Sequence, residues 1–399
     1  GVIKVIEPVI KECSKILLTT SKNPQKPVFN HYMFECIAAL IRFVCDKQYN
    51  VNNNSQNIVK FEQELMSPFF KVLEMDQASE FHPYIYQIIG LMLRIRNEID
   101  GNYNSLFDKL LETSLWNNDG NIVAISSTFS DYLRLIKDIN KFIDERRLTG
   151  MLGIYQHLLS KRTQDYHAFK ILSAIFQYIP IEKLRKYLKE IIELVCIRIR
   201  QKKSTALCCN FIVTLSIFIY KNGLGELLNA CNQIQTGIFG MILEKIWLAF
   251  ARNVTDLLDR KIMTIAMIKM MSDAKFKSDQ GLMQFFPQLI NCIVEIFEAG
   301  PLQSNEHKTA EFYISKLEEQ GCGNKFVGLQ FAKSPSHDIT KTEADPRQLL
   351  IQLIVSVIGN NQQFIQTFVQ NSKPVICKAI NSYAQQFNVN NFSLPVLQK

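Results

Sequence analysis

The sequence predicts an all-α fold, a solenoid of stacked two-helix units. Three observations carry that reading. Apolar residues recur at spacings of three and four through nearly the whole chain, turn signals separate these stretches at short intervals, and no span alternates with period two for long. The run 81–97 sets Ile85, Ile88, Ile89, Met92 and Ile95 on one stripe, and the run from Asn121 repeats it with Ile122, Ile125, Phe129, Leu133 and Ile136. Such a stripe marks a helix that buries one face.

In chain order the periodicity predicts helices near 3–19 and 29–45, separated by the turn signal Lys22-Asn23-Pro24. Helices near 57–73 and 80–97 follow, the second ended by Asp100-Gly101-Asn102. The next lie near 103–114 and 121–137, with Asn117-Asn118-Asp119-Gly120 between them. Stripes continue at 139–160, 164–178 and 181–201, where Pro180 opens a helix whose buried line is Leu184, Leu188, Ile191 and Val195. Helices near 204–221 and 224–232 are parted by Lys221-Asn222-Gly223, and further ones are predicted at 236–250, 254–273, 278–298, 306–320, 324–332, 346–358, 361–370 and 373–386. Taken in consecutive pairs they give units of roughly 35 to 50 residues, the period of two-helix solenoid repeats. A globular helical domain or a long bundle would pattern similarly; the number of similar units and their short connections favour the solenoid.

Two connections are longer. Residues 46–57 (DKQYNVNNNSQN) read as a polar surface loop. Residues 333–348 lack apolar periodicity and read as an exposed loop that is also open to a partner contact. The expected organisation is a repeat array over 1–332, this loop at 333–348, and terminal capping helices of the same array over 349–399.

Hydrophobic residues make up 47% of the 399, enough for an extensive core and against general disorder. Ten cysteines are scattered without pairing pattern, and Cys36, Cys45, Cys196 and Cys292 fall on apolar helix faces, where a free thiol acts as a small hydrophobe. With neither a secretory leader nor a run of 18 uncharged apolar residues, the reading is a soluble protein of a reducing compartment that does not insert into membranes. The opening GVIKVIEPVIKECSKILLTT reads as a helix already under way, as in a fragment whose preceding partner helix is missing.

No constellation for catalysis, cofactor or metal emerges. Cys208 and Cys209 are adjacent, which is not a zinc-pair spacing, the six histidines form no HExxH arrangement, and phosphate-binding glycine motifs are absent. His157 and His167 flank a helix junction and are the nearest approach to a polar pair. Gly237 and Gly240 read as a turn or close packing. The expectation is a protein that is not an enzyme and works by presenting a surface.

Charge distribution narrows that surface. The formal charge is +8, and residues 141–203 alone hold 14 Lys or Arg against 6 Asp or Glu. Lys183, Arg185, Lys186 and Lys189 lie around the solvent side of the helix that buries Leu184 and Leu188, and Arg198, Arg200, Lys202 and Lys203 continue the basic ground. These eight residues are the candidate protein-docking patch. A merely solvated face competes with a patch that steers an acidic protein surface. Direct nucleic-acid binding is not expected, because no recognition motif or aromatic platform accompanies the charge.

Several runs add a resemblance. Ser21-Lys22-Asn23-Pro24-Gln25-Lys26-Pro27, continuing Val28-Phe29-Asn30-His31-Tyr32-Met33-Phe34-Glu35, is similar to the exportin-2 family, also called the cellular apoptosis susceptibility family, within the importin-beta superfamily. Phe81-His82-Pro83-Tyr84, Leu115-Trp116 followed by Gly120-Asn121-Ile122, the run from Gly237 to Lys245, and Phe326-Val327-Gly328-Leu329-Gln330-Phe331-Ala332 continue it in order. The segments 46–57 and 301–321 depart from the family pattern. The resemblance implies a superhelix of HEAT repeats that shuttles between nucleus and cytoplasm. It implies importin-alpha and Ran in its GTP-bound form as partners, leaves nuclear pore proteins open as further ones, and places the chain in the C-terminal part of a longer receptor. A scaffold that holds proteins without nucleotide-dependent release is the alternative.

Overall fold

The computed structural model describes residues 2–47, 55–96, 98–99, 101–300, 326–333, 337–359, 362–389 and 392–396. Among the described residues every regular element is a helix or a single helical turn. The chain forms two compact units: Gly1–Tyr178 with Thr309–Ser336, and Ile179–Lys308 with His337–Lys399.

The first unit is built from α1 (Val2–Thr20), α2 (Pro27–Cys45), α3 (Ile58–Leu73), α4 (His82–Arg96), α5 (Gly101–Leu110), α6 (Asp119–Leu135), the single turn α7 (Ile139–Phe142), α8 (Glu145–Ser160) and α9 (Asp165–Tyr178). Helices alternate in their packing, α1 on α3, α2 on α4, α4 on α6 and α6 on α9. The repeat shows directly in the hydrogen-bond register. Tyr103 bonds Glu62 across 41 residues, Thr128 bonds the Tyr86 carbonyl across 42, and Lys170 bonds Ser127 across 43. The second unit keeps the interval, with Lys203 to Lys245 at 42, Cys209 to Phe250 at 41 and Arg252 to Glu295 at 43. An interval of 41 to 43 residues that persists along the chain is what stacked two-helix repeats produce.

Local sequence explains the ends. The side chains of Asn118, Asp144, Ser204 and Asp256 each accept a backbone N–H at a helix start. Gly223 ends α12 (Thr205–Asn222) at φ 78°, ψ 174°, a conformation essentially reserved for glycine. The apolar stripes supply the core: Ile85, Ile88, Ile89 and Met92 of α4 and Ile122, Ile125 and Phe129 of α6 are all fully buried. Gly90 lets these two helices approach, since a Cβ there would stand 2.8 Å from Thr128 Oγ1.

The second unit contains α10 (Ile181–Leu184), α11 (Leu188–Gln201), α12, α13 (Leu224–Ile234), α14 (Ile238–Ile242), α15 (Leu248–Phe250), α16 (Leu257–Ser272), α17 (Ala274–Ser278), α18 (Gln280–Met283) and α19 (Phe286–Glu298). The helices Pro346–Ile358, Gln362–Gln370 and Pro374–Gln386 complete it. Here α12 packs on α16, and α16 in turn on Pro346–Ile358.

Several expected helices are divided. The stretch 139–160 breaks because Asp138 and Asp144 cap two separate starts. The stretch 278–298 breaks where Asp279 caps α18 and Pro287 enters the first turn of α19. The stretch 181–201 loosens into a tight turn at Arg185–Tyr187 between α10 and α11. The stretch 236–250 starts late and widens to a π turn over Leu243–Trp247. The helix expected at 306–320 lies outside the described residues, as do 48–54 of the polar loop and 334–336. The helix expected at 324–332 is not formed over its described residues, 326–332. Residues 326–329 are non-helical and only Gln330–Ala332 make one turn, because side chains of α2 and α4 take up the backbone groups.

Among the described residues two helices, Pro27–Cys45 and Thr205–Asn222, are long and apolar enough to cross a membrane by length and composition. Burial takes up part of that composition: Phe34, Ile37 and Ile41 of the first, and Phe211, Ile212, Leu215 and Phe218 of the second, are at most 2% exposed, whereas Val28, Phe29, Tyr32 and Phe43 of the first are exposed.

Candidate docking surfaces

The eight basic residues expected at 183–203 do not form one uniform face. Leu184, Leu188, Ile191 and Val195 are buried as their spacing requires, which sends Arg185 and Lys186 to the surface and leaves Lys183 and Lys189 half-buried. Arg185 grips Glu226 of α13 with Nε and Nη2, the latter 2.7 Å from Oε1, and this contact lowers the Glu226 pKa below the usual carboxylate range. The positive charge at that position is therefore largely answered within the fold. Arg198 is only 6% exposed and donates from Nη1 to the Lys202 carbonyl at 3.1 Å, so it serves the end of α11. Lys203 donates to the Lys245 carbonyl at 2.9 Å and lies over the Phe250 ring at 4.7 Å. Arg200 and Lys202 are exposed. Of the eight residues, Arg185, Lys186, Arg200, Lys202 and Lys203 are exposed, Lys183 and Lys189 are half-buried, and Arg198 is buried.

A second surface was invisible to the charge census. Residues 326–333 of the first unit lie along α2 and α4 as an extended segment whose backbone is held by side chains. Gln87 uses both ends of its amide, donating to the Val327 carbonyl at 3.1 Å and accepting the Leu329 N–H at 2.8 Å. Glu35 accepts the N–H groups of Gln330 and Phe331. Arg42 donates to the carbonyls of Phe331 and Lys333, each at 2.6 Å, and Arg94 donates to that of Ala332 at 2.7 Å. Both arginines are themselves paired, Arg42 with Asp46 at 2.5 Å and Arg94 with Asp131 of α6 at 2.7 Å. The legible signal is a spacing. Glu35 and Arg42 on α2, and Gln87 and Arg94 on α4, each stand seven residues apart, two turns along one face of a helix that is otherwise mostly apolar there.

In the second unit the stretch 337–345, expected as part of an exposed loop, is docked by charge. Lys261 of α16 pairs with Asp338 at 2.7 Å, and Glu343 accepts from Lys269 at 2.8 Å and from the Tyr220 hydroxyl at 2.9 Å. Thr340 within it is fully buried. The helix that follows begins at Pro346, with Asp345 as its cap.

His157 and His167 do not approach as a pair. His157 Nε2 meets Asn117 Oδ1 at 3.2 Å, while His167 Nδ1 lies 3.0 Å from Ser126 Oγ inside the core. Burial, with a smaller contribution from Lys170, pushes the His167 pKa down to about 3. Folding thus requires the neutral ring. The contribution is complete above the unfolded value near 6.5 and is lost as pH falls from there toward 3. The expected slope is about 1.4 kcal/mol per pH unit in that window. Between pH 7.5 and pH 5, unfolding of the native chain should lose about 2 kcal/mol more stability than unfolding of His167→Gln. Equal losses in chemical-denaturation curves would contradict the assignment.

Among the described residues no group of three or more His, Cys, Asp or Glu is placed to hold a metal ion. Of the cysteines expected on apolar faces, Cys45 and Cys292 are buried and Cys196 is half-buried, whereas Cys36 is exposed because α2 turns that side outward. Burial raises the Cys45 thiol to about 12 and the Cys292 thiol to about 11. Such thiols stay protonated and unreactive near neutral pH.

Comparison with known proteins places this architecture. The family described as CAS/CSE protein, C-terminus, matches residues 1–383. The chain belongs to the CAS/CSE family. Exportin-2 of Bos taurus and of Homo sapiens are each 30% identical over 339 residues, covering 85% of this chain and 34% of the relative. Exportin-2 of Danio rerio is 29% identical over 354 residues. The chain thus spans about a third of the length of these curated relatives. The solved structure of the exportin Cse1 in its cargo-free, cytoplasmic state superposes with a TM-score of 0.74 at 22% identity, covering 94% of this chain and 38% of that one. That likeness confirms the all-α repeat fold, and the HEAT-type solenoid implied by the family resemblance stands.

Proposed function

We propose that this CAS/CSE chain is the C-terminal part of a nuclear export receptor that returns importin-alpha to the cytoplasm in a complex with Ran-GTP. The observation that carries the reading is the family match over residues 1–383, joined to similarity with exportin-2 over 85% of the chain. In this reading the receptor shuttles through the nuclear pore, and its own residues perform no bond chemistry. Repeats that contact mainly their neighbours turn small shifts between helix pairs into a change of solenoid pitch. Cargo and Ran-GTP together select one pitch, and loss of the GTP-dependent contacts favours another.

Lys183, Lys186 and Lys189 are the docking ground on this chain for an acidic surface of either partner. Association of the full-length receptor with purified importin-alpha tests the proposal. Capture is expected with Ran loaded with GTP and is expected to fall to background with Ran-GDP. Equal capture in both states would favour a static scaffold instead.

A further inference from the structure

We propose that the groove between α2 and α4 is a binding site for an extended peptide of a partner protein, and that residues 326–333 occupy it as a displaceable internal ligand. The inference stands on the geometry of the groove and does not rest on the export reading. Four side chains, Glu35, Arg42, Gln87 and Arg94, make seven hydrogen bonds to the backbone of a segment 238 to 296 residues away in sequence. Backbone recognition by fixed side chains is indifferent to most of the sequence it holds, as in other modes that capture an extended strand.

Sequence demand on the occupant is correspondingly small. Leu329 is fully buried and Ala332 is 6% exposed, whereas Val327, Gly328 and Gln330 face outward. Phe331 adds a tilted ring contact with Phe43 at 5.5 Å. The groove therefore asks for a large aliphatic residue followed three positions later by a small one, on a backbone that is extended and then turns once. Any chain with that pattern presents the same carbonyls and N–H groups to the four side chains.

Arg42 and Arg94 are paired with Asp46 and Asp131 independently of their bonds to the segment, so its release would leave neither as an isolated buried charge. Their remaining donors, with Glu35 and Gln87, stay aligned for another backbone. The internal segment sets the threshold: a partner peptide must outcompete a ligand held at the high effective concentration of the same chain.

A labelled synthetic peptide of sequence FVGLQFAK, titrated by fluorescence anisotropy, tests the proposal. The double variant Leu329→Gly, Gln330→Pro removes the buried anchor and one of the two N–H groups donated to Glu35. This variant is expected to bind the peptide at least tenfold more tightly than the unmodified chain, and addition of Gln87→Ala should abolish that binding. Hydrogen exchange on the unmodified chain gives a reading independent of any variant's folding. The Leu329, Gln330 and Phe331 amides should exchange at least a hundredfold faster than those at the centre of α4, as local release requires. Exchange of these amides only together with α4 would overturn the proposal. So would failure of the double variant to bind the peptide once its own segment has lost protection. A native dimer in which this segment fills the groove of a second copy would assign the site to self-exchange and overturn it as well.

Discussion

Replacement of Asp131 by alanine should destabilise the first unit by about 3 to 5 kcal/mol, the usual consequence of stranding one partner of a buried ion pair. Arg94 Nη1 lies 2.7 Å from Asp131 Oδ2, with the two side chains only 10% and 9% exposed. Burial lowers the Arg94 pKa, and the nearby Asp131 charge opposes that fall. The guanidinium Nε is already buried without a hydrogen-bond partner. Loss of the carboxylate leaves the Ala332 carbonyl as the only acceptor of Arg94 among the described residues. Denaturant unfolding should show the loss in full. The double replacement Arg94→Met, Asp131→Leu should recover most of it, because two apolar side chains of similar size need no counter-charge. The exposed pair Arg185–Glu226, with Arg185 at 55% side-chain exposure, should cost far less stability when Arg185 becomes alanine. Similar losses at the two sites would show that the interior of this repeat is wetter than the geometry implies.

Reversal of Lys183, Lys186 and Lys189 to glutamate should slow assembly of the full-length receptor with its partners by at least about tenfold at low ionic strength. Lys186 is exposed, and Lys183 and Lys189 are half-buried. Arg198 is buried at the end of α11, so changing it would test folding more than docking, and reversing Arg185 would also break its pair with Glu226. Steering by exposed charge acts over roughly 10 Å at 0.1 M salt and fades as salt rises. Association rates of the variant and the unmodified receptor should therefore converge at high salt. Rates that match at low salt would assign this ground to solubility alone. Unequal rates at every salt concentration would instead point to damaged packing around Leu184 and Leu188.

Periodicity made most of the helices legible, because each buries one stripe and the stripe is written in the sequence. The buried line Leu184, Leu188, Ile191 and Val195 is one case, and the turns at Asn118 and Gly223 are marked by residues whose chemistry ends or starts a helix. What misled was apolar content without regard to backbone partners. Residues 324–332 read as helical, yet three N–H groups and four carbonyls of 327–333 are claimed by Glu35, Arg42, Gln87 and Arg94 from helices far away in sequence. Tertiary hydrogen bonds overrode a local preference, and nothing within the segment announces them.

The candidate patch was legible in the same partial way. A census of charges finds Arg185 and Arg198 as readily as Lys186, but it cannot show that Glu226 of α13 answers one or that the core swallows the other. The polar residues at seven-residue spacing on α2 and α4 were a readable signal. Their meaning depended on the return of a distant segment, which only the folded chain displays.

Thermodynamic linkage supplies the most direct test of the export reading. The affinity of the full-length receptor for importin-alpha is measured by calorimetry without Ran, with Ran-GTP and with Ran-GDP. Affinity for Ran-GTP is then measured with and without importin-alpha. Ran-GTP is expected to tighten importin-alpha binding at least tenfold, importin-alpha is expected to tighten Ran-GTP binding by the same factor, and Ran-GDP is expected to do neither. Affinities for importin-alpha that are the same with Ran-GTP, with Ran-GDP and with no Ran would contradict the account and leave a repeat scaffold that binds without release.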